Sequence, residues 1–287
     1  MRRTSRAVAA LVATALLSVV GTAPASAATY VGLGDSAAAG PLVPWQIPNP
    51  LGCWRSNHNF AHVVARSLAV SLKDVSCSRA RTDHMLDPQS VSGGTNPPQL
   101  DALSAETGIV TLQIGGNDIG FGEIEDACTT WSPFGHPCRD AYAPSWPESL
   151  GTLGQRIEAT APKVAAVLRA IHDRAPQARV LVIGYAAILP HSGAGCWPQV
   201  AIAPADVPFV RAVHEALNGM LAAQAGANGA TYVDAYAASV GRDACRSYLV
   251  RWVEPTVPVN PAAPLHPNAR GMRGIAGLVT GALATGT

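Results

Sequence analysis

Five short apolar stretches alternate with amphipathic segments along this chain, and that alternation constrains the fold more than any other feature. Thr29–Leu33, Leu72–Ser76, Ile109–Ile114, Val180–Gly184 and Thr231–Asp234 read as strands buried on both faces. Between them, His58–Val70 places apolar residues at Phe60, Val63, Val64 and Leu68. Ser149–Arg174 repeats them at Leu150, Leu153, Ile157, Val164, Leu168 and Ile171, near the 3.6-residue period of a helix. Phe209–Ala225 and Pro267–Ala284 complete the helical set, and Pro162 is expected to kink or break the helix that contains it. Strands alternating with helices predict a parallel sheet covered on both faces and joined by right-handed crossovers, an α/β fold. The 287 residues are enough for one such domain with a substantial core, and no internal repeat or linker divides them.

The first 27 residues read as an export signal. Arg2, Arg3 and Arg6 form a positive start, Ala7 to Gly21 an apolar stretch, and Ala25-Ser26-Ala27 a small-x-small cleavage pattern. The apolar stretch is short for a membrane span. The expected mature protein is therefore a single secreted domain over 28–287. The whole chain has 20 basic and 19 acidic side chains; the leader holds three of the basic ones and no acid, so its loss moves the net charge from +1 to −2. A near-neutral chain lacks the footprint of a nucleic-acid binder, and no later segment is long and apolar enough for stable membrane insertion. Charged residues make up 14% of the chain, below the roughly 25% usual for soluble domains, so some mildly apolar surface is expected.

Six cysteines follow the leader: Cys53, Cys77, Cys128, Cys138, Cys196 and Cys245. An even count in an exported chain reads as a disulfide framework with fifteen possible pairings. Consecutive pairing is preferred because it closes three separate loops, each contributing on the order of 3 kcal/mol. There is no Cys-x-x-Cys, no metal-ligand cluster and no phosphate loop, so neither a metal nor another cofactor is expected. Three insertions, Pro41–Ser56, Thr129–Pro147 and Ile188–Pro208, are rich in Pro, Trp and Cys and read equally well as pocket walls or as decoration.

Three motifs carry the chemistry. Tyr30-Val31-Gly32-Leu33-Gly34-Asp35-Ser36 runs from a strand into Ala37-Ala38-Ala39, placing Ser36 at a helix start, where free N–H groups face the serine oxygen. Gln113-Ile114-Gly115-Gly116-Asn117-Asp118 leaves another strand at its C-terminal end, the edge of a parallel sheet where ligands bind. Its glycines, Gly116 among them, admit close approach, and the Asn117 amide can donate to an oxyanion. Leu265-His266-Pro267-Asn268 precedes the last helix, with Pro267 suited to its first position and His266 on the rim. A neutral imidazole there can take the serine proton and return it to a leaving group. Each motif alone has a plain structural explanation: a capping serine, a Gly-Gly-Asn turn, a structural histidine.

Together these residues resemble the SGNH, or GDSL, hydrolase family, especially its secreted actinobacterial lipases and esterases. Gly34-Asp35-Ser36, Gly115-Gly116-Asn117-Asp118 and His266-Pro267-Asn268 match its blocks in order, and Gly52-Cys53-Trp54-Arg55-Ser56, Val75-Ser76-Cys77-Ser78 and Asp243-Ala244-Cys245 are similar to that secreted subgroup. The resemblance covers the whole mature chain. It implies a three-layer α/β/α sandwich of flavodoxin-like layout with a five-stranded parallel sheet, acting on carboxylic esters as a monomer. It further implies Ser36 as nucleophile, His266 as base, and an oxyanion hole from Ser36 N–H, the Asn117 side chain and the N–H at position 79.

Two positions depart from that pattern. Arg79 stands where the family has glycine, keeping the N–H but straining the backbone if φ must be positive; its side chain is expected to swing away or to narrow the acyl pocket. Ala263 stands where the family places the acid, three residues before His266, and no carboxylate lies between Pro255 and His266. A Ser-His dyad is expected, with a backbone carbonyl near Ala263 orienting the imidazole; Asp234 and Asp243 are the alternative acids. An α/β-hydrolase elbow would require Gly where Ala38 stands. A protein that binds esters or glycans with little or no turnover is the competing reading of a different class.

Overall fold

The computed structural model describes residues 29–285; the leader assigned to 1–27 lies outside the described residues. Among the described residues nine strands occur in chain order: β1 (Thr29–Gly34), β2 (Gln46–Ile47), β3 (Arg55–Ser56), β4 (Ser71–Asp74), β5 (Gln89–Val91), β6 (Gly94–Asn96), β7 (Thr107–Gln113), β8 (Arg179–Ile183) and β9 (Thr231–Val233). Five of them form one parallel sheet in the order β4-β1-β7-β8-β9; β2 with β3 and β5 with β6 make small antiparallel pairs. The principal helices are α2 (Phe60–Leu68), α5 (Gly151–Arg174), α6 (Val207–Ala227) and α8 (Ala269–Thr285), with short ones at α1 (Ser36–Ala39), α3 (Phe121–Cys128), α4 (Pro137–Tyr142) and α7 (Ala235–Ala238).

Alternation along the strands divides the core in two. Tyr30, Ile109, Leu181 and Ile183 face one way and pack with Phe60 and Val64 of α2 and Met272, Ile275 and Val279 of α8. Val31, Leu33, Val110, Leu112, Val180 and Val182 face the other way, against Leu153, Val164 and Leu168 of α5 and Phe209, Val213 and Leu221 of α6. This is the three-layer α/β/α arrangement expected from the alternation of elements.

Local signals set the boundaries. Asn59 caps α2 by accepting the N–H of His62, and Ala69 ends it in a left-handed conformation at φ 53°. Pro162 does not break α5, which runs unbroken for 24 residues; burial of Thr160, Val164 and Leu168 along one stripe outweighs the hydrogen bond that proline removes. The expected start of the last helix is corrected as well. Ala269, not Pro267, is its first residue, because Asn268 caps it by accepting the N–H groups of Arg270 and Gly271 at its Oδ1, leaving Pro267 bridged to Val253 outside the helix.

The disulfides pair consecutively, Cys53–Cys77, Cys128–Cys138 and Cys196–Cys245. Buried Asp206 at the start of α6 accepts the N–H groups of Cys138 and Arg139 and pairs with the Arg139 guanidinium, tying the second loop to the helical layer. Among the described residues no helix is long and apolar enough to cross a membrane.

Register decides where the chain leaves the sheet. Gly34 pairs with Gln113 across β1 and β7, and the Asp35 N–H donates to the Gln113 carbonyl at 3.0 Å, so Ser36 and the Gly115–Asn117 turn emerge side by side. Gly34 has φ 151°, and a Cβ there would lie 2.6 Å from the Gln113 oxygen and 2.7 Å from Ala38 Cβ. Gly34→Ala should therefore cost about 1–3 kcal/mol in urea unfolding, because it displaces the turn that holds Ser36.

Candidate active site

Ser36 and His266, 230 positions apart, meet at the sheet's C-terminal edge, with His266 Nε2 2.8 Å from Ser36 Oγ. The other ring nitrogen, Nδ1, lies 2.6 Å from the Pro264 carbonyl oxygen. A carbonyl only accepts, so Nδ1 carries the proton, and in the neutral ring Nε2 is left with its lone pair toward the serine hydroxyl. Burial lowers the imidazole below its ordinary value, and the Pro264 carbonyl pulls the other way. The ring stands edge-on to Phe121, with centroids 5.8 Å apart.

The orienting carbonyl belongs to Pro264 and not to Ala263, whose own carbonyl accepts the backbone N–H of His266 at 3.2 Å and whose N–H donates to Pro41. Neither alternative acid contacts the His266 ring. Asp234 caps α7 by accepting the Ala237 N–H, and Asp243 accepts from Cys245 and pairs with Arg246.

Asp35, rather than Ser36, is the cap of α1, accepting the Ala37 N–H at 2.9 Å. With only four residues, α1 offers individual N–H donors more than a dipole. Among the described residues no protein acceptor takes the N–H of Ser36 or that of Arg79. Asn117 gives one amide hydrogen to the Ala80 carbonyl at 2.9 Å, and the second remains for a ligand. Gly116 donates its N–H to the Tyr185 hydroxyl, so it supports the turn. Arg79 adopts φ 66°, the left-handed conformation a glycine would take without cost, and its side chain is exposed and outside the cleft wall.

Ser36, Asn117 and His266 open onto one cleft. Its walls are apolar: Ile119, Phe121 and Ile124 on the α3 side, Val210, Val213 and Leu217 from α6. Of the three insertions, only the last reaches it, through Ile188 and Leu189; Pro41–Ser56 and Thr129–Pro147 do not line it. No group of three or more His, Cys, Asp or Glu side chains arranged for a metal occurs among the described residues.

Sequence reading overlooked the buried Glu254, which builds the loop that presents His266. Its carboxylate pairs with Arg251 at 2.9 Å and accepts from Asn268 Nδ2, Asn260 Nδ2 and the N–H groups of Val259 and Asn260. Its own N–H donates to the His266 carbonyl, and its carbonyl accepts from Leu265. Burial pushes this carboxyl up, but the donors from Asn260, Asn268 and Val259 prevail and bring it down to about 2. Leu265, beside His266, is held at φ 58°, a strained conformation for a leucine that this network maintains. Tyr185 was also overlooked; its position just past β8, on the ligand-binding edge, was the available signal.

Residues 33–273 match the model of the GDSL-like lipase/acylhydrolase family. The chain is similar to Lipase 2 of Streptomyces coelicolor, 38% identical over 96% of this chain and 95% of that one, and to Lipase 1 of the same organism, 32% identical over 88% and 85%. Its fold resembles the crystal structures of a phospholipase A1 from Streptomyces albidoflavus NA297 and an extracellular lipase from Streptomyces rimosus, each with a TM-score of 0.74 and 24% identity over 89% of this chain and 99% of theirs.

Glu254→Gln leaves the buried Arg251 guanidinium without its counter-charge and should cost about 3–5 kcal/mol in denaturant unfolding. Because the folded carboxyl lies below its unfolded value near 4.5, its contribution is complete above that pH and lost as pH falls toward about 2. The variant should therefore lack that part of the wild type's acid destabilisation.

Proposed function

Because the chain belongs to the GDSL-like lipase/acylhydrolase family and is a carboxylester hydrolase, we propose that it is a secreted esterase or lipase working through a serine acyl-enzyme, with a Ser36–His266 dyad. The observation that carries this reading is the pair of contacts made by one imidazole, 2.8 Å to Ser36 Oγ and 2.6 Å to the Pro264 carbonyl. The second contact supplies the tautomer that a triad acid would otherwise fix, with less stabilisation of the imidazolium.

Ser36 Oγ attacks the ester carbonyl carbon while His266 Nε2 takes the hydroxyl proton. The oxyanion that forms is held by the free N–H groups of Ser36 and Arg79 and the second amide hydrogen of Asn117. Collapse breaks the bond to the alkoxide, which leaves with the proton from Nε2, and the acyl group stays on Ser36. Water then attacks, giving its proton to His266, and the acid departs as Oγ recovers that proton. Arg79 contributes through its backbone alone, which its exposed side chain allows.

The apolar cleft supports an acyl chain as the part of the substrate that enters. Export is supported by the three disulfides and by the leader pattern of residues 1–27. The proposed mature protein is one hydrolase domain from residue 28, acting as a monomer.

An organophosphonate should label Ser36 stoichiometrically, and Ser36→Ala should lose both labelling and hydrolysis; hydrolysis surviving in that variant would refute the mechanism. Along a series of nitrophenyl esters, each methylene seated in the cleft is worth about 0.8 kcal/mol, or roughly a fourfold rise in kcat/KM, until the cleft is full. Ile124→Trp should move that ceiling to shorter chains, with at least a tenfold loss on decanoate and little change on butyrate; an unchanged chain-length profile would place the acyl group elsewhere.

A further inference from the structure

The mechanism leaves unused a buried carboxyl and a phenol that touch each other in the cleft wall. Asp35 immediately precedes Ser36 and is 1% exposed. Its Oδ1 accepts the Ala37 N–H at 2.9 Å, and its Oδ2 accepts from the Tyr185 hydroxyl. The same hydroxyl accepts the Gly116 N–H at 2.8 Å. One phenol thus bridges the residue before Ser36 to the residue before Asn117.

That bridge is built to be rigid. The Tyr185 N–H donates to Asn218 Oδ1 at 2.8 Å and its carbonyl accepts from Asn218 Nδ2 at 3.2 Å, while Asn218, on α6, also accepts from the Tyr232 hydroxyl. On the other side, a Cβ at Gly116 would lie 3.1 Å from Tyr185 Oη and 3.2 Å from Cζ, so the close approach depends on glycine.

We propose that Tyr185 is a positioning residue that sets the separation of Ser36 from Asn117, and that Asp35 must be ionised for it to do so. The inference rests on the reading of Ser36 as nucleophile. Its logic is one of donors and acceptors. Tyr185 has a single hydroxyl proton; it gives that proton to Asp35 and keeps a lone pair for Gly116. A protonated Asp35 has to donate through Oδ2, since Oδ1 already accepts from Ala37. The bond to Tyr185 then reverses, and the phenol proton loses its acceptor. The register between the two turns loosens where an oxyanion must be met by donors from both.

The groups facing Asp35 set the pH at which this happens. Tyr185 comes from the end of β8 and Asp118 from the turn after β7, with Lys163 of α5 beyond Asp118; His214 of α6 and His266 line the same cleft. Burial, helped by the negative charge of Asp118, pushes the Asp35 carboxyl up to about 7, and the bonds from Tyr185 and Ala37 keep it from rising further. The folded value exceeds the unfolded one, so the native state binds this proton more tightly. The group's effect on stability therefore declines as pH rises from about 3.9 to 7, opposite in sense to activity.

Hydrolysis of a short nitrophenyl ester by wild type, Tyr185→Phe, Asp35→Asn and Ser36→Ala, from about pH 5 to 9 and with thermal melts alongside, tests the proposal. Tyr185→Phe should lower kcat about 10–100-fold with KM within about twofold, and its acid-side transition should move to higher pH because a bond favouring the carboxylate is gone. Asp35→Asn, which keeps the cap but resembles the protonated acid, should melt higher than wild type at about pH 8 yet turn over several-fold more slowly, without the transition near 7. A wild-type kcat in Tyr185→Phe, or a slower rate with an unmoved acid limb, overturns the proposal. A wild-type rate in Asp35→Asn does the same, and decides alone if Tyr185→Phe fails to fold. Retained hydrolysis in Ser36→Ala would overturn the assignment of the nucleophile; an inactive Ser36→Ala beside a wild-type Tyr185→Phe would overturn only the role of Tyr185.

Discussion

The pairing of Gly34 with Gln113 across two parallel strands is the constraint on which the rest of the site depends. A parallel ladder forces both chains to end at the same edge, so the turn bearing Ser36 and the turn bearing Asn117 leave the sheet as neighbours. A slip of one residue would exchange Val31 and Leu33 with Tyr30 between the two core faces, and the packing on α2 and on α5 forbids it. The buried core thereby fixes distances at the surface. Gln99 reinforces the point, exchanging two hydrogen bonds with the backbone of Gly34 at 2.8 and 2.9 Å.

The imidazole arrives by a different route. His266 lies on an irregular loop, and irregular backbone has no ladder to hold it. Glu254 supplies the substitute: one buried carboxylate satisfies Arg251, Asn260, Asn268 and the backbone of Val259, and its own peptide group is bonded to His266 and Leu265. The chain thus places a negative charge beneath the histidine's loop but not against its ring, where a neutral carbonyl stands. Neutralisation by Arg251 keeps that charge from acting at a distance. A ring oriented by a carbonyl gains orientation without much electrostatic help, so the proposed chemistry leans more heavily on oxyanion donors. Those donors work in an apolar cleft, where hydrogen bonds to a developing charge are stronger than in water.

This dependence gives the contact between Asp35 and Tyr185 its meaning. Holding a carboxyl at about 7 in a buried position costs stability at neutral pH, a cost out of place in a purely structural cap, which an asparagine would serve as well. A phenol that spans the two turns converts that cost into alignment.

Much of this was legible before any coordinates. Alternating apolar stretches announced the strands, the 3.6-residue period announced the helices, and an even count of cysteines announced staples. Ser36, Asn117 and His266 stood out because each sits in a short run whose glycines, cap or proline fit a turn at the end of an element. Pro162 does not end its helix because a local penalty is outweighed by burial along the whole length of α5. The missing acid at Ala263 already pointed to a nearby carbonyl, and packing selected that of Pro264; the Glu254 network, the apolar cleft and the Tyr185 bridge were decided only by the tertiary structure. Tyr185 meets partners 150 and 69 positions away, and a carbonyl oxygen is offered by every residue alike. No pattern in neighbouring residues distinguishes such groups; their roles exist only once separate layers have packed and brought particular atoms within hydrogen-bonding distance.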